Sequence, residues 1–260
     1  ACLIYNSKIA VYYLFLSNGF FASYRPKVTV NDLLKVPIPL TRTVNLDSIK
    51  THGDVDNFAN DLFLLKDSES ILVDDLFQYT LPDFKGGSFS PGRQKTKRFS
   101  LDLLENENEK ELKEYCEYFF RVIKSGFGQD KKVCATIFQE EINHYLPVRL
   151  VAIYLNKSIH DGIKIEPINS QDLLNLLEQL NKLFMAQPSS DNGGIFYQRV
   201  ARIYTSTTWN GEQVPTVYLV KPDKIRYWTR SMALRDADEV AADIMLGRKE
   251  LIREIEVVAQ

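Results

Sequence analysis

The stretch Lys221-Pro222-Asp223-Lys224-Ile225-Arg226-Tyr227-Trp228-Thr229-Arg230 interleaves four bases with two aromatics. Ammonium and guanidinium groups meet phosphates, and aromatic faces beside arginine stack on splayed bases or hold sugars. Read as a hairpin turned at Pro222-Asp223, the run places Arg226 and Trp228 on one face and Tyr227 and Thr229 on the other. The competing reading puts one aromatic in the core and leaves the bases in water. A second basic run lies at 81–98, where Lys85, Arg93, Lys95, Lys97 and Arg98 face one acid, Asp83, with Phe84 and Phe89 between them. Glycine-bearing basic segments can follow a phosphate backbone, because backbone amides and Lys/Arg side chains both contact it. The plain alternative is a solvated linker. The first fifty residues add six Lys+Arg, among them Arg25 and Lys27, against Asp32 and Asp47.

Other centres are weaker. Pro82-Asp83 followed by Glu111-Leu112-Lys113 formally spells a metal-dependent nuclease signature, whose two carboxylates and lysine must converge on a divalent ion. The carboxylate-x-lysine element belongs on a strand. Here it falls in a helical pattern, where residues two apart do not share a face. His52, His144 and His160 have no cysteine at metal-ligand spacing. There is no Gly-x-Ser-x-Gly elbow and no phosphate-binding Gly-x-x-x-x-Gly-Lys loop. His144 with Glu140 or Glu141 could form an acid–base pair, although such residues at a hairpin tip commonly serve solubility. Cys116 and Cys134 read as small core residues. The residues point to no catalytic centre, no metal and no cofactor in this chain.

The elements that would position these residues follow from periodicity. A buried aromatic helix is expected over 8–24, ended by Arg25-Pro26. A capped turn near Asn31 or Asp32 runs to Lys35, and Val36-Pro37-Ile38-Pro39 must be extended. After a loop at 41–53, helices are expected at 54–65 and 68–79. Residues 81–98, with three glycines and two prolines, read as the linker. Beyond it, Leu112, Tyr115, Phe119, Val122 and Ile123 form one helical stripe. Strands are expected at 132–139 and 147–155, with a turn around Asn143-His144. The mostly apolar run Val148–Leu155 reads as a central strand. A helix over 170–186 follows, then a turn at 191–194, strands at 195–206, 214–221 and 224–229, a helix at 232–246, and a charged helix from Arg248. The expected fold class is α+β: a helical segment over 1–80, a basic linker over 81–98, and an α+β domain with an antiparallel sheet over 99–260.

Composition bounds the function. With 260 residues, 45% hydrophobic and 25% charged, the chain is globular rather than disordered, fibrous or a coiled-coil rod. A net charge of -2 excludes a globally basic nucleic-acid binder but not local basic patches. Three cysteines are too few and odd in number for a disulfide scaffold, which favours reduced thiols and a cytoplasmic setting. The apolar run Ile9–Phe21, broken at Ser17-Asn18-Gly19, is shorter than the roughly 20 residues a spanning helix needs, so no membrane role is expected.

One stretch resembles a known family. Tyr12 to Phe21, then Tyr24-Arg25, then Val28-Thr29-Val30-Asn31-Asp32-Leu33-Leu34-Lys35-Val36-Pro37-Ile38-Pro39, is similar to the end of the target-recognition region of adenine-specific DNA methyltransferases. There a helix precedes an "LTxxDLxxxPIP" turn. Phe58 to Phe84, with Leu72-Val73-Asp74-Asp75-Leu76 and Tyr79-Thr80-Leu81, resembles the helical tail that follows. Tyr227-Trp228-Thr229-Arg230-Ser231 and Arg235-Asp236-Ala237-Asp238-Glu239 are loosely similar to C-terminal endings of that group. These methylases carry an Asn/Asp-Pro-Pro-Tyr/Phe tetrapeptide for the flipped adenine and a Gly-rich loop for S-adenosylmethionine. Neither occurs in these 260 residues. The resemblance therefore implies a non-catalytic C-terminal part of a longer methyltransferase or restriction–modification protein, and a start at Ala1 fits that expectation. Its partners would be double-stranded DNA and the rest of the methyltransferase or a restriction–modification subunit. The residues expected on DNA are Arg25, Lys27, Lys85, Arg93, Lys95, Lys97, Arg98, Lys221, Lys224, Arg226, Trp228 and Arg230. A protein–protein interaction module and a metal-dependent nuclease are the alternatives.

Overall fold

The structure is a computed structural model, and it describes residues 2–17, 28–39, 49–86, 89–96, 109–128, 132–141, 146–155, 159–187, 195 and 199–245. The fold class is α+β, with helices and one five-stranded, mostly antiparallel sheet. The chain divides into two compact units, 1–94 and 95–260. The division falls inside the stretch read as a linker.

The first unit is helical. Its helices are α1 (Cys2–Tyr5), α2 (Lys8–Ser17), α3 (Val30–Lys35), α4 (His52–Phe63), α5 (Asp67–Asp75) and α6 (Leu81–Phe84), and a small core of Ile4, Ala10, Leu14 and Val36 has Leu33 of α3 and Leu62 and Phe63 of α4 packed against it. Two helices start on the same device. Thr29 caps α3 and Thr51 caps α4, each accepting from the backbone three residues on, where Asp32 and Asp54 bond back to the cap. The expected turn cap at Asn31 or Asp32 is thus moved to Thr29, because the threonine and Asp32 satisfy each other's orphan groups. Val36 then goes extended before Pro37, as a pre-proline residue must. A π-helical turn, Leu76–Thr80, continues α5 into α6. Residues 81–94 are therefore not a bare linker: α6 and a 3₁₀ turn at Pro91–Arg93 build this part, and Ser90 and Gly92 are buried.

The second unit carries the sheet, in the order β3 (Ile163–Ile168), β1 (Cys134–Glu140), β2 (Val148–Tyr154), β5 (Glu212–Pro222), β4 (Ala201–Trp209). β3 runs parallel to β1, and the other neighbours are antiparallel. β2 is central, as its apolar run requires. Helices α7 (Lys110–Phe127) and α9 (Arg230–Met245) cover one face through Tyr115, Phe119, Ile123, Ala233, Ala237 and Val240, over Val151, Ile153, Val217 and Leu219. Helix α8 (Ser170–Ala186) covers the other through Leu173, Leu177, Leu180 and Phe184, over Leu150, Ile203 and Val220. α8 starts where Asn169 accepts from the Asp172 amide.

Two expectations are corrected, and one strand was not foreseen. No element was expected between 155 and 170; Pro167 masks the strand pattern of β3, and an edge position tolerates that proline. The strands expected at 195–206 and 214–221 extend to Trp209 and start at Glu212, because Asn210 (φ 49°) and Gly211 (φ 80°) make the tight two-residue turn that favours Asn-Gly. The strand expected at 224–229 is a 3₁₀ turn, Ile225–Tyr227, in which the amides of Tyr227 and Trp228 bond back to Lys224 and Ile225. Residues 18–24 of the first expected helix, the Asn143-His144 and 191–194 turns and the helix from Arg248 lie outside the described residues.

Candidate functional site

β2 and β5 place Arg149 and Lys221 directly opposite each other on the α7/α9 face of the sheet. Both are buried, and neighbouring like charges in the interior are tolerated only when anions are supplied. Each receives its own. The Arg149 guanidinium donates to Glu109 at 2.5 Å and to the Thr96 hydroxyl at 2.8 Å. The Thr96 hydroxyl donates in turn to Asp223 at 2.7 Å, and the Thr96 amide donates to the same oxygen at 3.2 Å. One guanidinium thus joins residues 96 and 109 to β2, and through Thr96 to the turn after β5. Glu109 sits at φ 55°, a left-handed conformation unusual for glutamate, immediately before α7. That backbone geometry accompanies a fully buried carboxylate held by Arg149.

Lys221 is held differently. Its ammonium pairs with Asp236 of α9, donates to the Tyr115 hydroxyl of α7 at 2.9 Å and to the Tyr227 carbonyl at 3.1 Å, and lies 4.2 Å from the Tyr115 ring and 5.0 Å from the Trp228 ring. Tyr115 donates to the same Asp236 oxygen at 2.6 Å. Arg202 of β4 reaches the other Asp236 oxygen at 3.4 Å and also pairs with Glu239. Burial pushes the Lys221 ammonium down from its ordinary range, and the Asp236 carboxylate opposes that shift. Burial pushes the Tyr115 hydroxyl well up, with the Asp236 charge adding to it, and burial also raises the Cys116 thiol. The Lys221 side chain has no exposed surface. The cluster fastens α7, α9 and β4 to the end of β5.

These contacts reassign several residues expected on DNA. Lys221 and Trp228 belong to the core, at 1% exposure each, so neither offers a surface to phosphate or base. Trp228 packs edge-on against Tyr115 at 5.1 Å, and its indole N–H donates to the Pro222 carbonyl. The alternation that put Arg226 beside Trp228 fails because the segment is a turn and not a strand. Lys95 and Lys224 are exposed. Each is one residue from a partner in the Thr96–Asp223 bond, so two basic segments 127 residues apart in sequence meet there. Arg226 is half-buried with its guanidinium 5.0 Å from the Tyr227 ring, and Arg230 is half-buried at the first residue of α9. In the helical unit Lys85 is exposed, while exposed Arg93 pairs with Asp83 at 3.3 Å. Arg25, Lys27, Lys97 and Arg98 lie outside the described residues.

Glu111 and Lys113 both sit in the first turns of α7, in the helical setting the sequence predicts for them. Among the described residues no group of His, Cys, Asp and Glu is placed to hold a metal ion, and no helix is long and apolar enough to cross a membrane. Cys2 is an exposed free thiol, and Cys116 and Cys134 are buried. Glu140 is buried and accepts from Ser170 at 2.6 Å, while His160 meets Thr136 at 3.0 Å. Sequence reasoning missed Arg149, Glu109 and Asp236. A signal for Arg149 was present: a charge in an otherwise apolar central strand needs a buried anion. Nothing in the sequence pointed to which acid would answer it. Compared with known protein families, with curated proteins and with solved structures, the chain matches none.

Proposed function

We propose that this chain is a non-catalytic unit that contacts double-stranded DNA, with the turn around Lys95 and Lys224 as its phosphate-binding face. The observation that carries the reading is the Thr96–Asp223 bond, which brings the start of the basic 95–98 run to the basic 224–226 turn. Two exposed ammonium groups on a turn braced by buried Arg149 are partly preorganised, so binding orders less chain than it would on a free linker. Arg226 lies on the same turn and Arg230 opens α9 just after it, and both would add to the field, while Lys97 and Arg98 continue the run in sequence. Lys221 and Trp228 brace the turn from inside. The resemblance of residues 12–39 and 58–84 to adenine-specific DNA methyltransferases supplies the setting: a recognition or positioning part of a restriction–modification system, without methyl transfer of its own.

A second role, positioning a subunit, draws on the helical unit. Val30 and Leu34, four residues apart on α3, are 73% and 72% exposed, and Phe89 is 90% exposed. Apolar exposure of that kind suits a protein partner better than a phosphate backbone. Salt separates the two readings, since phosphate contacts weaken steeply as salt rises and apolar contacts do not. The test is binding to a fluorescent duplex across a salt series, for the natural chain and for Lys95→Ala/Lys224→Ala. Binding that is salt-sensitive and weakens in the variant supports the DNA reading. Binding to no duplex at low salt removes it.

A further inference from the structure

We propose that the Lys95/Lys224 turn holds double-stranded DNA by its phosphates alone and reads no base pair, so that it positions the chain on a duplex without selecting the sequence. This inference rests on the DNA reading and narrows it. Sequence is read by side chains that reach base edges in a groove, or by rings that stack on splayed bases. The major groove admits an α-helix or a two-stranded ribbon, which carries those side chains in. Among the described residues of the turn, neither the side chains nor the elements are placed for that work.

Lys95 and Lys224 are exposed. Each ends in a compact ammonium, a point charge suited to phosphate, without the planar fork that makes arginine the sharper reader of guanine. The groups with richer chemistry are spent inside the fold. Trp228 is in the core, with its indole N–H on the Pro222 carbonyl. Thr229 is buried, and its hydroxyl meets Ser231 at 3.0 Å and accepts from the Met232 amide at 3.3 Å. Asp223 is buried and taken by Thr96. The Arg226 guanidinium donates to the Tyr227 hydroxyl at 3.2 Å and lies against the Tyr227 ring, half-buried. The elements agree. The 3₁₀ turn Ile225–Tyr227 is a single turn, too short to lie along a groove. Helix α9 follows it, and the N-terminal residues of a helix are the usual readers in the major groove. Yet α9 turns Ala233, Asp236, Ala237 and Val240 to the core, and its open side carries Arg235, Asp238 and Glu239. Arg235 is drawn to Glu239 at 3.0 Å. Laid in a groove, that face would bring carboxylates against the phosphates of both walls.

The test measures binding of the natural chain and of Lys95→Ala/Lys224→Ala to three duplexes of equal length: alternating A·T, alternating G·C and mixed sequence, at one low salt concentration. A lost phosphate contact weakens every sequence alike, whereas a base contact separates right from wrong base pairs by about 5- to 150-fold. The loss caused by the variant should therefore agree on the three duplexes to within about threefold. Arg226→Lys, which keeps the charge and removes the fork, should leave the order and spacing of the three affinities unchanged to the same degree. Uniform loss in the first variant with unchanged preference in the second supports the proposal. A loss that differs by about tenfold or more between duplexes, or a preference that moves in Arg226→Lys, overturns it and leaves the DNA reading standing. A chain that binds no duplex, or a variant that loses nothing on any of them, overturns the DNA reading at this turn and the inference with it.

Discussion

Asp236→Asn should be among the most damaging single changes in the second unit. The carboxylate answers three groups at once: the Lys221 ammonium, the Tyr115 hydroxyl and the Arg202 guanidinium. Arg202 keeps Glu239, so its charge stays paired. Lys221 keeps only neutral partners, the Tyr115 hydroxyl and the Tyr227 carbonyl, beside the cation of Arg149 on the next strand. Removing one partner of a buried pair costs about 3–5 kcal/mol, mainly because the other charge is stranded. In a unit of this size that corresponds to a fall of about 6–20 °C in melting temperature. Lysine has an escape, since burial already lowers its hold on the proton. With the folded value below the unfolded one, the penalty is full below the folded value and is relieved as pH rises toward the unfolded one. Urea and thermal unfolding by circular dichroism at neutral pH and at about pH 9 should show the larger loss at neutral pH. The triple change Tyr115→Phe/Lys221→Met/Asp236→Leu should recover most of that loss, because an apolar replacement removes the charges together. A loss under about 1 kcal/mol for Asp236→Asn at neutral pH would refute the reasoning.

Glu109→Gly should destabilise the fold even though glycine suits φ 55°, because about 1 kcal/mol of backbone relief is set against about 3–5 kcal/mol for a stranded Arg149; equal or higher stability in urea would contradict this. Tyr154 is pushed up to about 12 by burial, and burial also raises Tyr115 and Tyr218. Folded values above unfolded ones give stability that is fully present below about pH 10 and is lost as pH rises from there, so tyrosinate absorbance should lag in the folded chain and appear with unfolding; full tyrosine titration near pH 10 with the fold intact would contradict the burial. Thr51→Ala should cost about 1 kcal/mol, confined to the helical unit, with Thr51→Ser nearly neutral; helical content unchanged in a melt of that variant would contradict the cap.

The elements were legible in the sequence where one physical signal dominated. The 170–186 helix came out to the residue, since a single apolar stripe and an asparagine cap agree there. β1 and β2 came out within two residues, and the apolar run of β2 foretold its central place. Local reasoning failed where a distant group decided. Residues 224–229 have strand-like composition, but Trp228 is claimed by Tyr115 and the Pro222 carbonyl, and Asp223 by Thr96. Lys221 looked like a surface base because composition cannot show that Asp236 waits fifteen residues on, across a turn. Of the candidate contacts, Lys95 and Lys224 were legible as bases. Their meeting was not, because it hangs on a threonine–aspartate bond between distant parts of the chain.

The central claim, that the Lys95/Lys224 turn contacts phosphates, is tested most directly by the salt slope of duplex binding. Each phosphate contact contributes about 0.9 to the slope of log affinity against log salt, so Lys95→Ala/Lys224→Ala should flatten it by about 2. A variant that folds as the natural chain does, yet binds with an unchanged slope, would place the contacts elsewhere and contradict the account.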